Sequence, residues 1–166
     1  MTKFSTITLL GAGLLTCLTP NLSQAQISSE SSLSYNTATT IDKATSSSEF
    51  ASELSNELAK CHGFQYALHY FLTKEIEMSI DTVKLEADIA ASAQAAGYAS
   101  VLVGLFHSED VGHAHRYANA ISEGERSLWK AKFDTSKENF AVISKERIQT
   151  CNGFKPVVNA LLPDVY

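Results

Sequence analysis

Proline is nearly missing from this 166-residue chain: there are three, and none falls between Pro20 and Pro156. Glycine is sparse, at eight residues. With neither breaker to interrupt them, the intervening residues are free to form long helices. No stretch of useful length alternates apolar and polar residues with period two, which argues against a half-buried β-sheet. Basic excess is absent too. Lys and Arg number 13 against 18 Asp and Glu, a formal charge of −5, and no block of like charge occurs. Nucleic acid and anionic membrane surfaces both call for a basic patch, so neither is expected as a partner. No apolar run is long enough for a good membrane span.

Sequence signatures of chemistry are missing as well. There is no Gly-x-Ser-x-Gly, phosphate loop or dinucleotide fingerprint. Without Cys-x-x-Cys-His there is no covalent c-type haem, and without Cys-x-x-Cys no dithiol redox motif. The expectation is a chain that is not an enzyme and holds no cofactor.

What is present begins with an export signal. Met1-Thr2-Lys3 is short and positive, an apolar stretch runs from Phe4 to Leu18, and Pro20-Asn21 breaks it. Ser23-Gln24-Ala25 then offers small residues where a signal peptidase reads, so residues 1–25 are expected to be removed before Gln26. The rival readings are an uncleaved N-terminal anchor, for which the apolar run is too short, and lipidation at Cys17, where Thr16 fits poorly just before a modified cysteine. Lys3 is the only charged residue among the first 25, so the remainder carries 12 basic against 18 acidic residues, a formal charge of −6. Its expected location is periplasmic or secreted.

Residues 26–48 are low in complexity, with 12 Ser or Thr among 23, and are expected to be a disordered lead-in. From residue 49 to 166 the apolar residues recur at three- and four-residue steps, and an all-α domain is expected. Four helices are predicted, near 49–77, 81–105, 109–133 and 136–162. Ser46 with Glu49, Ser108, and Thr135 with Glu138 supply the helix-start signals, and the junction near Ser79 is weakly marked. The second helix is rich in Ala and is expected to lie inside the packing. Pro156 is expected to bend or interrupt the fourth. Short connections favour an antiparallel up-down-up-down four-helix bundle.

One internal echo links two of these helices. Cys61-His62-Gly63-Phe64 matches Cys151-Asn152-Gly153-Phe154, and the flanking apolar residues agree in register. Two cysteines in an exported chain suggest one disulfide. First and fourth helices of an up-down-up-down bundle are neighbours, so Cys61 and Cys151 are expected to pair there. Ala59, Gly63 and Ala67 form a small-residue stripe, expected to meet the Ala-rich second helix.

The histidines are the only candidate metal ligands. His62 and His69 flank Tyr66 on one helix face, while His113 and His115 cluster with His107, Glu109 and Asp110. Neither His-Glu-x-x-His nor repeated Glu-x-x-His occurs, so a polar helix face is the better reading and no metal is expected. The function this leaves is a non-enzymatic protein-interaction or accessory module of the cell envelope. Its protein partner is not identified by the sequence. The alternative is a ligand- or metal-binding bundle.

Overall fold

The computed structural model describes residues 36–75 and 80–163. The export signal, the first ten residues of the Ser/Thr-rich segment and the Ser79 junction lie outside them. Among the described residues all regular structure is helical: α1 (Thr37–Ser46), α2 (Ser48–Glu75), α3 (Ile80–Gly104), α4 (Val111–Thr135), a 3₁₀ turn (Lys137–Asn139), α5 (Phe140–Gly153) and α6 (Lys155–Leu161).

Within the 26–48 segment expected to be disordered, residues Thr37–Ser46 instead form helix α1. Asn36 caps it, accepting from the Thr39 N–H at 3.4 Å. Its hydroxyls then turn back on the helix: Thr45 Oγ1 and Ser46 Oγ each donate to the Asp42 carbonyl, at 2.9 and 2.8 Å. Ser and Thr are poor helix formers because they compete for backbone groups in this way. Here burial decides the outcome. Thr40 and Ala44 are buried, Ile41 packs on the core, and His107 Nε2 reaches the Ala44 carbonyl at 2.7 Å. Tertiary contact thus overrides a composition that favours disorder.

The cap of α2 also differs. Ser47, not Ser46, accepts from the Phe50 N–H at 3.3 Å, and its own N–H ends α1 on the Lys43 carbonyl. The predicted stripe of α2 is buried from Leu54 through Leu72, with Cys61, Phe64, Leu68 and Phe71 between them. Helix α4 starts on Asp110, which accepts from the His113 N–H at 2.8 Å. Ser108 instead accepts from the Asp110 N–H, one step upstream. Thr135 closes α4 by donating to the Ala131 and Lys132 carbonyls, and so does not cap α5.

Contacts fix the order of the bundle. Ser55 meets Ser100, and His62 lies against Gly97, so α2 and α3 are antiparallel. Gly63 lies against Ser122 and Phe71 packs on Phe133, so α2 and α4 run the same way. Phe140 packs on Phe71 at one end, while α6 reaches α1 at the other. The α5–α6 arm therefore runs back, completing up-down-up-down. Between α5 and α6 the chain turns at Phe154, and Pro156 sits in the first turn of α6, as its missing N–H requires.

The disulfide joins α2 to α5. Cys61 and Cys151 have Cα atoms 5.4 Å apart, and both are buried. Phe64 and Phe154, one turn on from each, are 1% and 2% exposed and keep water from it. Beyond Phe64 the core continues as a chain of rings, with Trp129 at 4.8 Å and Phe71 leading to Phe133 at 5.0 Å.

Two placements differ from the sequence expectation. The helix at the centre is α2, flanked by α3 and α4, so the Ala-rich α3 keeps one face in solvent. Gly63 faces α4, not α3: a Cβ there would overlap the Ser122 carbonyl and come within 3.0 Å of the Arg126 nitrogen. The apolar stripe that the α4 sequence offers, Val111, Ala114, Ala118, Ile121 and Leu128, shifts accordingly. Ser122 takes a buried position opposite Gly63, while Val111 and Leu128 are 60% and 49% exposed.

Candidate functional site

Three groupings of polar side chains emerge from this packing. The first is inside the bundle. His62 is half-buried between α3 and α4, with its ring 3.1 Å from where a Gly97 Cβ would stand. Its Nδ1 hydrogen-bonds the Ser122 hydroxyl at 2.9 Å. Tyr66 meets it edge-on at 4.9 Å, and the Arg126 guanidinium lies 5.7 Å over Tyr66. Burial, and secondarily the Arg126 charge, hold the His62 imidazole below its ordinary titration range.

That shift has a consequence for stability. The unfolded chain titrates His62 near ~6.5. Because the folded pKa is the lower one, acid protonates the unfolded chain first. His62 therefore contributes stability above pH ~6.5, and it is lost as pH falls through the folded value. Urea unfolding followed from about pH 7 to pH 5 should show a steeper loss in the native chain than in His62→Gln. Equal slopes would remove His62 from the account.

A second polar network lies under the disulfide. Arg147 of α5 donates to Glu57 of α2 at 3.1 Å and faces Glu125 of α4 at 3.5 Å. Glu125 also accepts from the Trp129 ring nitrogen at 2.9 Å, and Glu57 accepts from Lys60 at 2.6 Å. Burial alone would raise the Glu57 carboxyl, but its bonds to Lys60 and Arg147 outweigh that and hold it below the usual carboxylate range. The network ties three helices together, and every charge in it is paired.

The third grouping is a cleft of about 210 Å³ where the first turns of α2 and α4 meet the α3–α4 loop. Ser48, Ser52 and Ser55 line it from α2, His107 and Ser108 from the loop, and His113 and Tyr117 from α4. The Ala44 carbonyl can only accept, so His107 Nε2 donates to it. His113 stacks on Tyr117 at 6.2 Å.

The sequence candidates are thus scattered. His62 is internal, His69 is half-buried elsewhere on α2, His113 lines the cleft, and His115 is exposed and paired with Asn119 at 3.3 Å. Among the described residues no group of three or more His, Cys, Asp or Glu is placed to hold a metal ion. Sequence reasoning missed one spacing: Ser127-Leu128-Trp129-Lys130 has the form Ser-x-x-Lys. Ser127 is exposed, and Lys130 Nζ is engaged 4.1 Å over the Tyr70 ring, so the pair is not arranged as nucleophile and base.

No family model, curated protein or solved structure matches the chain.

The surface adds one feature. From Ile89 to Ser108 the sequence carries no Asp, Glu, Lys or Arg. Ala91, Gln94 and Tyr98 of that run are exposed; one and two turns back the same face carries Ala87 and then Lys84. Tyr98 is 55% exposed, and its hydroxyl accepts from Gln94 at 3.2 Å. Exposed residues of α2, α4 and α5 include Glu49, Glu53, Arg116, Glu123, Arg126, Lys145 and Glu146. An uncharged face on an otherwise charged surface loses little hydration when covered, which suits it to contact. Among the described residues no helix is long and apolar enough to cross a membrane.

Proposed function

We propose that this chain is a non-enzymatic protein-interaction or accessory module of the cell envelope, and that it meets its protein partner through the outer face of α3. The carrying observation is the charge-free, solvent-facing run Ala91-Gln94-Tyr98. Export by cleavage before Gln26 fits a domain that closes its core with a buried disulfide, since such bonds persist in oxidising compartments. The histidines support the same reading by their employment: His62 holds Ser122, and His107 anchors α1.

A photo-crosslinking residue in place of Tyr98, expressed in intact cells, tests it. Discrete adducts with a protein are expected. A reporter that yields no protein adduct, while the same group at Lys145 behaves identically, would refute the reading. The alternative of a ligand- or metal-binding bundle draws on the 210 Å³ cleft. It predicts that zinc or nickel raises the unfolding temperature of the native chain but not of His107→Ala.

A further inference from the structure

Resting on the α3 face as a contact surface, we propose that its partner includes a second copy of this chain, docked α3 against α3 in antiparallel, two-fold fashion. A two-fold interface requires a patch that is complementary to itself. Most patches of this acidic chain are not, because a copy would bring like charges together. The α3 face meets the requirement in two ways.

Its middle carries no charge and is built of small residues. Ala87 and Ala91 are exposed on it, so two helix axes can approach closely without a bulky side chain between them. One charged and one aromatic residue are also symmetrically disposed on it. Lys84 is exposed in the first half of α3 and Tyr98 in the second. Positions 84 and 98 lie equally far on either side of residue 91. An antiparallel pair sharing that midpoint sets Lys84 of one copy against the Tyr98 ring of the other.

That meeting is chemically matched, because an ammonium over a phenol ring is a cation–π contact. The two-fold makes it occur twice. A parallel pair would instead place Lys84 on Lys84, so charge selects the antiparallel arrangement.

Sedimentation equilibrium on the full chain purified from the envelope provides the test. A concentration-dependent dimer is expected, with Ala87→Arg and Tyr98→Ala each weakening it about tenfold or more, an effect of ~1.4 kcal/mol. Because these side chains face solvent, circular dichroism should show both variants folded. Mixing Lys84→Cys with Tyr98→Cys chains should give an intermolecular disulfide that neither variant forms alone. A chain that stays monomeric, a dimer indifferent to both surface variants, or a Tyr98→Cys chain that crosslinks to itself would each overturn the pairing. Crosslinks from Tyr98 to a different protein, alongside a monomer in solution, would sink self-pairing and leave the interaction reading standing.

Discussion

Reducing the Cys61–Cys151 bond, or replacing Cys61 with Ser, is expected to lower the unfolding free energy by about 2 to 5 kcal/mol. The bond spans 90 residues, so it constrains most of the unfolded chain. In the chain-entropy model such a loop is worth on the order of 4 kcal/mol. The serine variant carries an added penalty, because position 61 is only 1% exposed and a hydroxyl there meets Leu58, Phe64 and Phe154. Urea unfolding of oxidised, reduced and Cys61→Ser protein separates the two contributions. Reduction should remove the constraint alone, and the variant should fall at or below it. A reduced chain with an unchanged midpoint would mean the bundle holds α5 in place without the bond. The loss is large against the roughly 5 to 15 kcal/mol that a domain usually has.

Gly63→Ala is expected to destabilise by about 2 to 3 kcal/mol, although alanine is the better helix former by about 1 kcal/mol. The conflict is with backbone: the new methyl would overlap the Ser122 carbonyl, which cannot rotate away as a side chain tip would. Helix α4 must move outward, and with it the contacts of Trp129 and Phe133 on Phe64. Gly124→Ala is the internal control. It lies in the middle of α4 with nothing within 4 Å of where the added methyl would stand, so there the propensity gain should act alone, about 0.5 to 1 kcal/mol of stabilisation. Thermal unfolding should move in opposite directions for the two variants. If both raise the midpoint, α2 and α4 are not in backbone contact at Gly63.

Much of the architecture is legible in the sequence because its signals are periodic. The Leu54-to-Leu72 stripe, the missing period-two pattern and the matched Cys-x-Gly-Phe runs lead to the helices, their order and the cysteine pair. The departures have a common physical origin: they concern residues whose role is set by a distant neighbour. Thr40 and Ala44 read as solvated until the core of α2 and the ring of His107 are placed against them. Ser122 reads as polar surface until Gly63 opens a gap for it on the opposite helix. Val111 and Leu128 read as core because they are apolar, yet the small Ala114, Ala118 and Ser122 take the buried side of α4. Capping residues slip by one or two positions where several candidates stand in a row, as at Ser46-Ser47-Ser48 and Ser108-Glu109-Asp110. The site follows the same rule. His62 and His69 share a helix face in the sequence, but only His62 has a Gly97 across from it to admit its ring.

The central functional claim is that the outer face of α3 is covered when the protein is at work. Hydroxyl-radical footprinting in the native envelope measures this directly, because the chain supplies its own reference. In the lone chain Tyr98 is 55% exposed and Tyr117, on α4, is 45% exposed. Free protein at high dilution should therefore oxidise at Tyr98 at least as readily as at Tyr117. In the envelope the account predicts the reverse order, with Tyr98 protected and Tyr117 still reactive. Tyr98 reacting as fast in the envelope as in dilute solution, relative to Tyr117, would contradict it.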